Sequence, residues 1–178
     1  MSETHHLYEH TSAKDVPWES LSFTERAVLC FVFEGERVLL IHKKRGLGKG
    51  KINAPGGRIE PGETALEAAV RETQEEVGLI PINPQECARL HFLFTDGYSL
   101  HGTVFRAFSY EGTLRETEEA IPLWSPVSSI PYDRMWEDDR LWIPHLLEGR
   151  YVEGFFIFDG DTMLDAHVVT GAILPPPR

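Results

Sequence analysis

Cysteine is nearly absent: the 178-residue chain has only Cys30 and Cys87. Two are too few for the disulfide framework of a small secreted domain or for a thiolate zinc site. Cys30 lies inside an apolar run, so both read as reduced and structural. Basic residues are also scarce, with 17 Lys or Arg against 28 Asp or Glu and a formal charge of −11. That deficit argues against stable binding to duplex nucleic acid or an anionic membrane, because both need a basic face that releases counterions from phosphate. No apolar run approaches the roughly 20 residues of a membrane-spanning helix. Met1 to His6 has neither the basic nor the apolar segment of a secretory signal, so the cytoplasm is the expected compartment. An acidic protein can still hold a polyanion when a metal carries the charge between them. What matters is whether the 28 carboxylates are scattered or concentrated.

What is present is ordinary globular composition, 42% apolar, at a length that makes one domain with a full core. Residues 1–24 are polar and aperiodic; they read as an extension that covers a surface through Trp18 or Phe23 without building the core. Its His5, His6 and His10 read as an exposed terminus rather than a metal site. The domain proper spans 25–170, and 171–178 form a Pro-rich tail. A monomer is expected, with a dimer as the alternative. Ala27 to Phe33 and Val38 to Ile41 are β-branched-rich strands joined by a hairpin at Glu34-Gly35-Glu36-Arg37. Lys43 to Asn53 is a basic, glycine-rich loop that lacks the spacing of a phosphate-binding P-loop and reads as a solvated surface. Thr64 to Val77 reads as a helix with a buried stripe of Leu66, Ala69, Val70, Thr73 and Val77, stopped by Gly78. Leu90 to Phe94 and Thr103 to Tyr110 read as strands around an Asp96-Gly97 turn. Phe155 to Phe158 and Met163 to Val169 form a final hairpin, and Asp139 to Leu147 is a short helix ended or kinked at Pro144. Strands before and after the main helix, without βαβ alternation, predict an α+β fold with a mixed sheet and helices packed on it.

The acidic residues are concentrated on that helix. Glu72, Glu75 and Glu76 follow at i, i+3 and i+4, converging on one patch predicted to lie off the core stripe. Like charges at this spacing oppose the helix by a few tenths of a kcal/mol per pair, so a compensating cation is required. Arg71 supplies one charge, and a hard divalent ion such as Mg²⁺, which shares oxygen ligands with phosphates, is the natural complement. A bare acidic face is commonly just solvated, and the surrounding order decides otherwise. Gly57, five residues, Glu63, seven residues, then Arg71-Glu72-Thr73-Gln74-Glu75-Glu76-Val77-Gly78-Leu79 matches G-x5-E-x7-R-E-U-x-E-E-x-G-U, with U aliphatic, at every fixed position except Thr73. Chance supplies such a match on the order of once in 10⁹ start positions. Gly56-Gly57 are expected to allow a tight loop at the mouth of the helix, and Arg71 to tether Glu63. Thr73 is expected to bond back to a carbonyl one turn earlier, at little cost.

This pattern is the Nudix box, and the chain resembles the Nudix hydrolases. From Ala27 to His167 it is similar to the animal oxidised-purine nucleoside triphosphatases related to MutT. The resemblance is carried by Arg37-Val38-Leu39-Leu40, Lys43-Lys44-Arg45-Gly46, Asn53, Gly56-Gly57, Ile130-Pro131, Met135-Trp136, Asp138-Asp139, Trp142, Asp161-Thr162 and Leu164-Asp165. It implies the Nudix fold, a mixed sheet sandwiched between helices, and Mg²⁺-dependent cleavage of substrates such as 8-oxo-dGTP, with Mn²⁺ as an alternative ion. The implied metal ligands are the Gly56 carbonyl, Glu72, Glu75, Glu76 and Glu119. Arg71, Glu75 and Glu76 are the implied catalytic residues, Glu76 nearest to general-base duty. Lys43, Asn53, Gly57, Arg58, Trp136, Asp138 and Asp139 are implied to bind substrate. The residue chemistry agrees: Asn53 can both donate and accept, Trp136 offers a flat face for stacking, and adjacent acids in a dry pocket can hold a proton between them. Val28, Leu47, Ile52, Pro55 and Leu100 depart from the family's pocket pattern, where Thr, aromatic residues and Met are usual. The competing expectations are another substrate built on a nucleoside diphosphate, such as an RNA 5′ end, ADP-ribose or a dinucleotide polyphosphate, and a non-catalytic nucleotide sensor.

Overall fold

The computed structural model describes residues 11–176. Strands β1 (Glu25–Glu34) and β2 (Arg37–Lys43) turn at Gly35, whose φ of 60° suits glycine. The basic loop leads into β3 (Ile52–Asn53) and β4 (Gly56–Arg58), followed by α1 (Ala65–Val77). Next come β5 (Leu79–Pro81), β6 (Gln85–Phe94), β7 (Ser99–Ala107), β8 (Tyr110–Gly112) and β9 (Ala120–Pro126). The chain closes with α2 (Asp139–Leu147), β10 (Arg150–Asp159) and β11 (Thr162–Ile173). The main sheet runs β11-β10-β6-β7-β1-β2-β3, with β4 also paired to β1 and β9 to β2, while β5 and β8 form a separate ribbon. β1 is parallel to β7 and β10 to β6, and the other pairs are antiparallel, so the sheet is mixed and the fold is α+β as expected.

Alternation along β1 explains the layers. Val28, Cys30 and Val32 pack with Ala68, Ala69 and Val77 of α1, whereas Phe31 and Phe33 point the other way, into the cluster containing Trp142, Ile143 and Leu146 of α2. One helix therefore lies on each face of the sheet. Burial pushes the Cys30 thiol up to about 12 and the Cys87 thiol up as well; both are free, buried thiols, in keeping with a structural role. Among the described residues no helix is long and apolar enough to cross a membrane.

Several sequence expectations need correction. α1 begins one residue later than expected, with Thr64 as N-cap in a reciprocal capping box with Glu67. Its buried face is Ala68, Ala69, Thr73, Glu76 and Val77, while Leu66 is 44% exposed. The face is rotated because the two alanines let the helix approach the sheet closely, which turns Glu76 inward. The Thr73 hydroxyl donates to the Ala69 carbonyl at 2.7 Å, as expected. β7 ends at Ala107, and Tyr110 belongs to β8. α2 continues through Pro144, which cannot donate to the carbonyl of Arg140.

The extension does contribute core. Ala13 and Val16 are buried with Leu93 and Ile157, because an Ala13 N–H bond to the Asp165 carboxylate holds this segment against the sheet. Trp18 and Phe23 cover His91, as the sequence suggested. The tail is partly structured too: β11 reaches Ile173, and the Pro175 carbonyl accepts from Gln85 and Arg106. His5, His6 and His10 lie outside the described residues.

Candidate active site

α1 places Glu72 and Glu76 one turn apart on the side facing β4. Glu76 is 2% exposed, and its Oε1 accepts the Gly56 N–H at 3.0 Å. Gly56 and Gly57 belong to β4, paired with Leu29 and Val28, so they lie in a strand and not in the tight loop expected at the helix mouth. Their need for glycine is close approach: a Cβ on Gly56 would lie 2.0 Å from the Val28 carbonyl oxygen, and one on Gly57 2.4 Å from the Glu72 carboxyl carbon. Glu119 arrives from the segment before β9, and one carboxylate oxygen each from Glu72, Glu76 and Glu119 fall within 4.8 Å of one another.

Arg71 braces this group from outside. It forks onto Glu63, which lies in the turn before the helix, at 2.7 and 2.9 Å, and donates to the Arg58 carbonyl at 3.0 Å. It also reaches Glu72 at 2.9 Å and Glu75 at 3.2 Å. The guanidinium holds the Glu63 carboxyl down at about 2. Glu75, which the sequence put in the carboxylate patch, is half exposed and stands outside the clustered trio. Glu67 serves the helix cap, accepting the Thr64 N–H at 3.1 Å.

Burial pushes Glu76 up to about 8 and raises Glu72 as well. Burial also lowers Lys43, which the carboxylates of Glu76, Glu72 and Glu119 oppose. Three closely spaced carboxylates, offset by Lys43, by Arg71 on Glu72 and by Arg45 on Glu119, make a partly dry patch with an all-oxygen donor set. Such a set fits a hard divalent cation, whose charge would offset the cost of ionising Glu76.

The patch forms one end of a cavity of about 750 Å³ that also includes Lys43, Asn53, Gly56, Gly57, Arg58, Trp136, Asp138 and Asp139. Asp138 caps α2 and Asp139 opens it; both are in or beside helical backbone, so the adjacent acids face the same cavity instead of diverging as on a strand. They are 2% and 3% exposed, and Asp138 Oδ1 and Asp139 Oδ2 have no hydrogen-bond partner. The Trp142 indole N–H donates to Asp138 Oδ2 at 3.0 Å. Burial pushes Asp138 up to about 7 and Asp139 higher than usual, the latter assisted by its neighbour's charge. Asn53 Oδ1 already accepts the Ala54 N–H at 2.8 Å, so its amide NH₂ is the half that faces outward chemistry.

Apart from Leu100, the remaining wall was missed in the sequence. Leu90, Phe92 and Phe94 alternate along β6 toward the cavity, joined by Tyr98 and by Leu100 and Gly102 of β7, and Glu25 opens β1 beside them. Their period of two was legible, but which face would meet the cavity was not. Of the departures from the family pattern, Val28, Leu47 and Leu100 line the cavity, whereas Ile52 and Pro55 do not.

A family model described as the NUDIX domain matches residues 23–146. The chain belongs to the Nudix family. Over 149 residues this Nudix chain is 39% identical to an oxidized purine nucleoside triphosphate hydrolase of Danio rerio, covering 82% of this chain and 94% of that protein. The protein of the same description from Mus musculus is 37% identical over 146 residues, 81% of this chain and 94% of that one. Among solved structures, the MutT protein of Bacillus halodurans superposes with a TM-score of 0.74 at 28% identity, covering 81% of this chain and 97% of that one.

Proposed function

We propose that this Nudix chain hydrolyses oxidised purine nucleoside triphosphates such as 8-oxo-dGTP to the monophosphate and pyrophosphate. The observation that carries the reading is one continuous cavity lined both by the clustered carboxylates of Glu72, Glu76 and Glu119 and by Trp136 with the buried Asp138–Asp139 pair. It spans the two parts of a nucleotide, and the relatives from Danio rerio and Mus musculus that share most of the chain are named for this substrate class.

Glu72, Glu76 and Glu119, with the Gly56 carbonyl, are the residues that would hold Mg²⁺ or Mn²⁺, and Glu75 is a further candidate ligand. Such an ion supplies charge neutralisation on the phosphate oxygens. Glu76 takes the proton of the attacking water in this reading, and Arg71 keeps Glu63, Glu72 and Glu75 in register. Lys43 and Arg58 face the phosphates. At the other end Trp136 stacks on the base, Asn53 donates to it, and Asp138 and Asp139 read its edge. A carboxylate only accepts hydrogen bonds, whereas a protonated acid also donates, so a pair sharing a proton presents both functions to the base.

The test is hydrolysis of 8-oxo-dGTP, dGTP, ADP-ribose, a dinucleotide polyphosphate and 5′-triphosphorylated RNA, with and without Mg²⁺, read by chromatography of the nucleotide products, with pyrophosphate expected from the triphosphates. The highest kcat/KM is expected for 8-oxo-dGTP and only with the ion. Preference for another substrate overturns the base assignment, and no turnover of any substrate overturns the enzymatic reading in favour of a nucleotide sensor.

A further inference from the structure

The loop between β2 and β3 carries more than surface charge. Gly46, Gly48 and Gly50 adopt φ of 80°, 80° and 88°, and the loop is tied at its base by Gly50 N–H to the Lys43 carbonyl at 2.8 Å and Lys43 N–H to the Lys51 carbonyl at 3.0 Å. This folding brings Gly48 against Trp136, where a Cβ would stand 2.8 Å from the indole nitrogen. It also sets the Lys51 ammonium 5.1 Å from the centre of the Trp136 ring and 3.3 Å from the Asp161 carboxylate in the β10–β11 turn. Phe94 and Phe158 meet the indole edge-on, at interplanar angles of 80° and 84°. Trp136 lines the cavity and Lys51 does not, so the ammonium over the ring lies outside the space that a base would enter.

We propose that Lys51 is a positioning residue: its ammonium, anchored by Asp161, backs the Trp136 indole and fixes the plane on which the purine stacks. This rests on the purine-nucleotide reading above. The attraction between an ammonium and an indole face restrains the ring along the direction that its edge contacts leave soft. The same charge acts on the acid pair. Asp139 is faced by Asp138, Lys51, the Trp142 indole N–H and the Tyr132 phenol, and Asp138 by Trp142 and Glu137. Lys51 is the cation in that set, and it favours the ionised form of Asp139.

Calorimetric binding of 8-oxo-dGMP without divalent ion, across pH 6 to 9, tests the proposal and needs no turnover. Lys51→Met keeps the aliphatic stem and is expected to weaken binding about ten-fold at the acidic end, with Lys51→Arg restoring it to within about two-fold. In Lys51→Met the pH at which binding is lost moves upward, since the acid pair then holds its proton longer. A loss below about three-fold, a loss that Lys51→Arg does not restore, or an unmoved pH midpoint overturns the positioning role. If the wild-type protein binds no purine monophosphate, the substrate reading falls and this inference falls with it. Equal binding by wild type and Lys51→Met defeats the inference alone.

Discussion

Two sets of carboxylates share one cavity and are held by opposite means. The glutamate trio is braced by Arg71, by the Gly56 N–H and by a nearby lysine, and its members come mostly from one helix. In the aspartate pair the Trp142 indole N–H donates to Asp138 Oδ2, Asp138 Oδ1 and Asp139 Oδ2 have no hydrogen-bond partner, and the Lys51 charge acts on Asp139. Burial disfavours charge and so raises Glu72 and Glu76 in the one set and both aspartates in the other, yet the remedies differ. An all-oxygen cluster within 4.8 Å is relieved by a cation, whereas a dry adjacent pair is relieved by keeping a proton. In the proposed reading the glutamates gather positive charge and the aspartates donate a hydrogen bond to the base.

The contrast can be broken at either end. The largest effect is expected from Glu76→Gln, which preserves the hydrogen bond from Gly56 and should lower kcat more than about a hundred-fold while leaving the thermal midpoint near wild type. Activity within a few-fold of wild type would remove Glu76 from the chemistry. Gly57→Ala comes next: the added Cβ would collide with the Glu72 carboxylate, and displacement of that group should cost about ten- to a hundred-fold in kcat/KM with an unchanged circular dichroism spectrum. Full activity would show that Glu72 can move freely.

At the other end, Asp138→Asn should lower kcat/KM for 8-oxo-dGTP about ten-fold more than for dGTP, because one base-reading oxygen is lost. Equal losses for the two nucleotides would leave this acid no part in telling them apart. The smallest effect concerns stability. Asp138 rises from the ordinary 3.8 to about 7 in the fold, so the folded chain binds more protons than the unfolded chain between those values and stability falls as pH rises through that window. Urea unfolding of Asp139→Asn should show a flatter pH dependence than wild type from pH 5 to 8, since the variant removes one acid and uncouples the other. An unchanged slope would place the titration elsewhere.

The trio was more legible than the pair because its residues are neighbours in sequence. Glu72 and Glu76 stand one helical turn apart, and the spacing alone puts them together. Glu75 shows the limit of that reasoning: it satisfies the same periodicity but faces Arg71 and solvent, since helix rotation is set by packing of Ala68 and Ala69 on the sheet. Glu119 was found only through resemblance, because no local rule joins a residue 43 positions beyond Glu76 to the helix. Lys51 and Glu25 gave no signal, as each gains its meaning from a partner segment brought in by the sheet.

The scarcity of cysteine and basic residues, the strand alternation and the spacing of the box were sufficient by themselves to determine the fold class, the family and two of the three clustered carboxylates. Those are consequences of local periodicity and covalent order. Only the tertiary structure decided that Glu76 is buried, that Gly56 and Gly57 are glycines for want of space, that the extension adds Ala13 and Val16 to the core, and that Lys51 stands over Trp136. Each of these depends on which face of an element meets which neighbour, and that choice is made by packing the whole sheet against its two helices, not by any single segment.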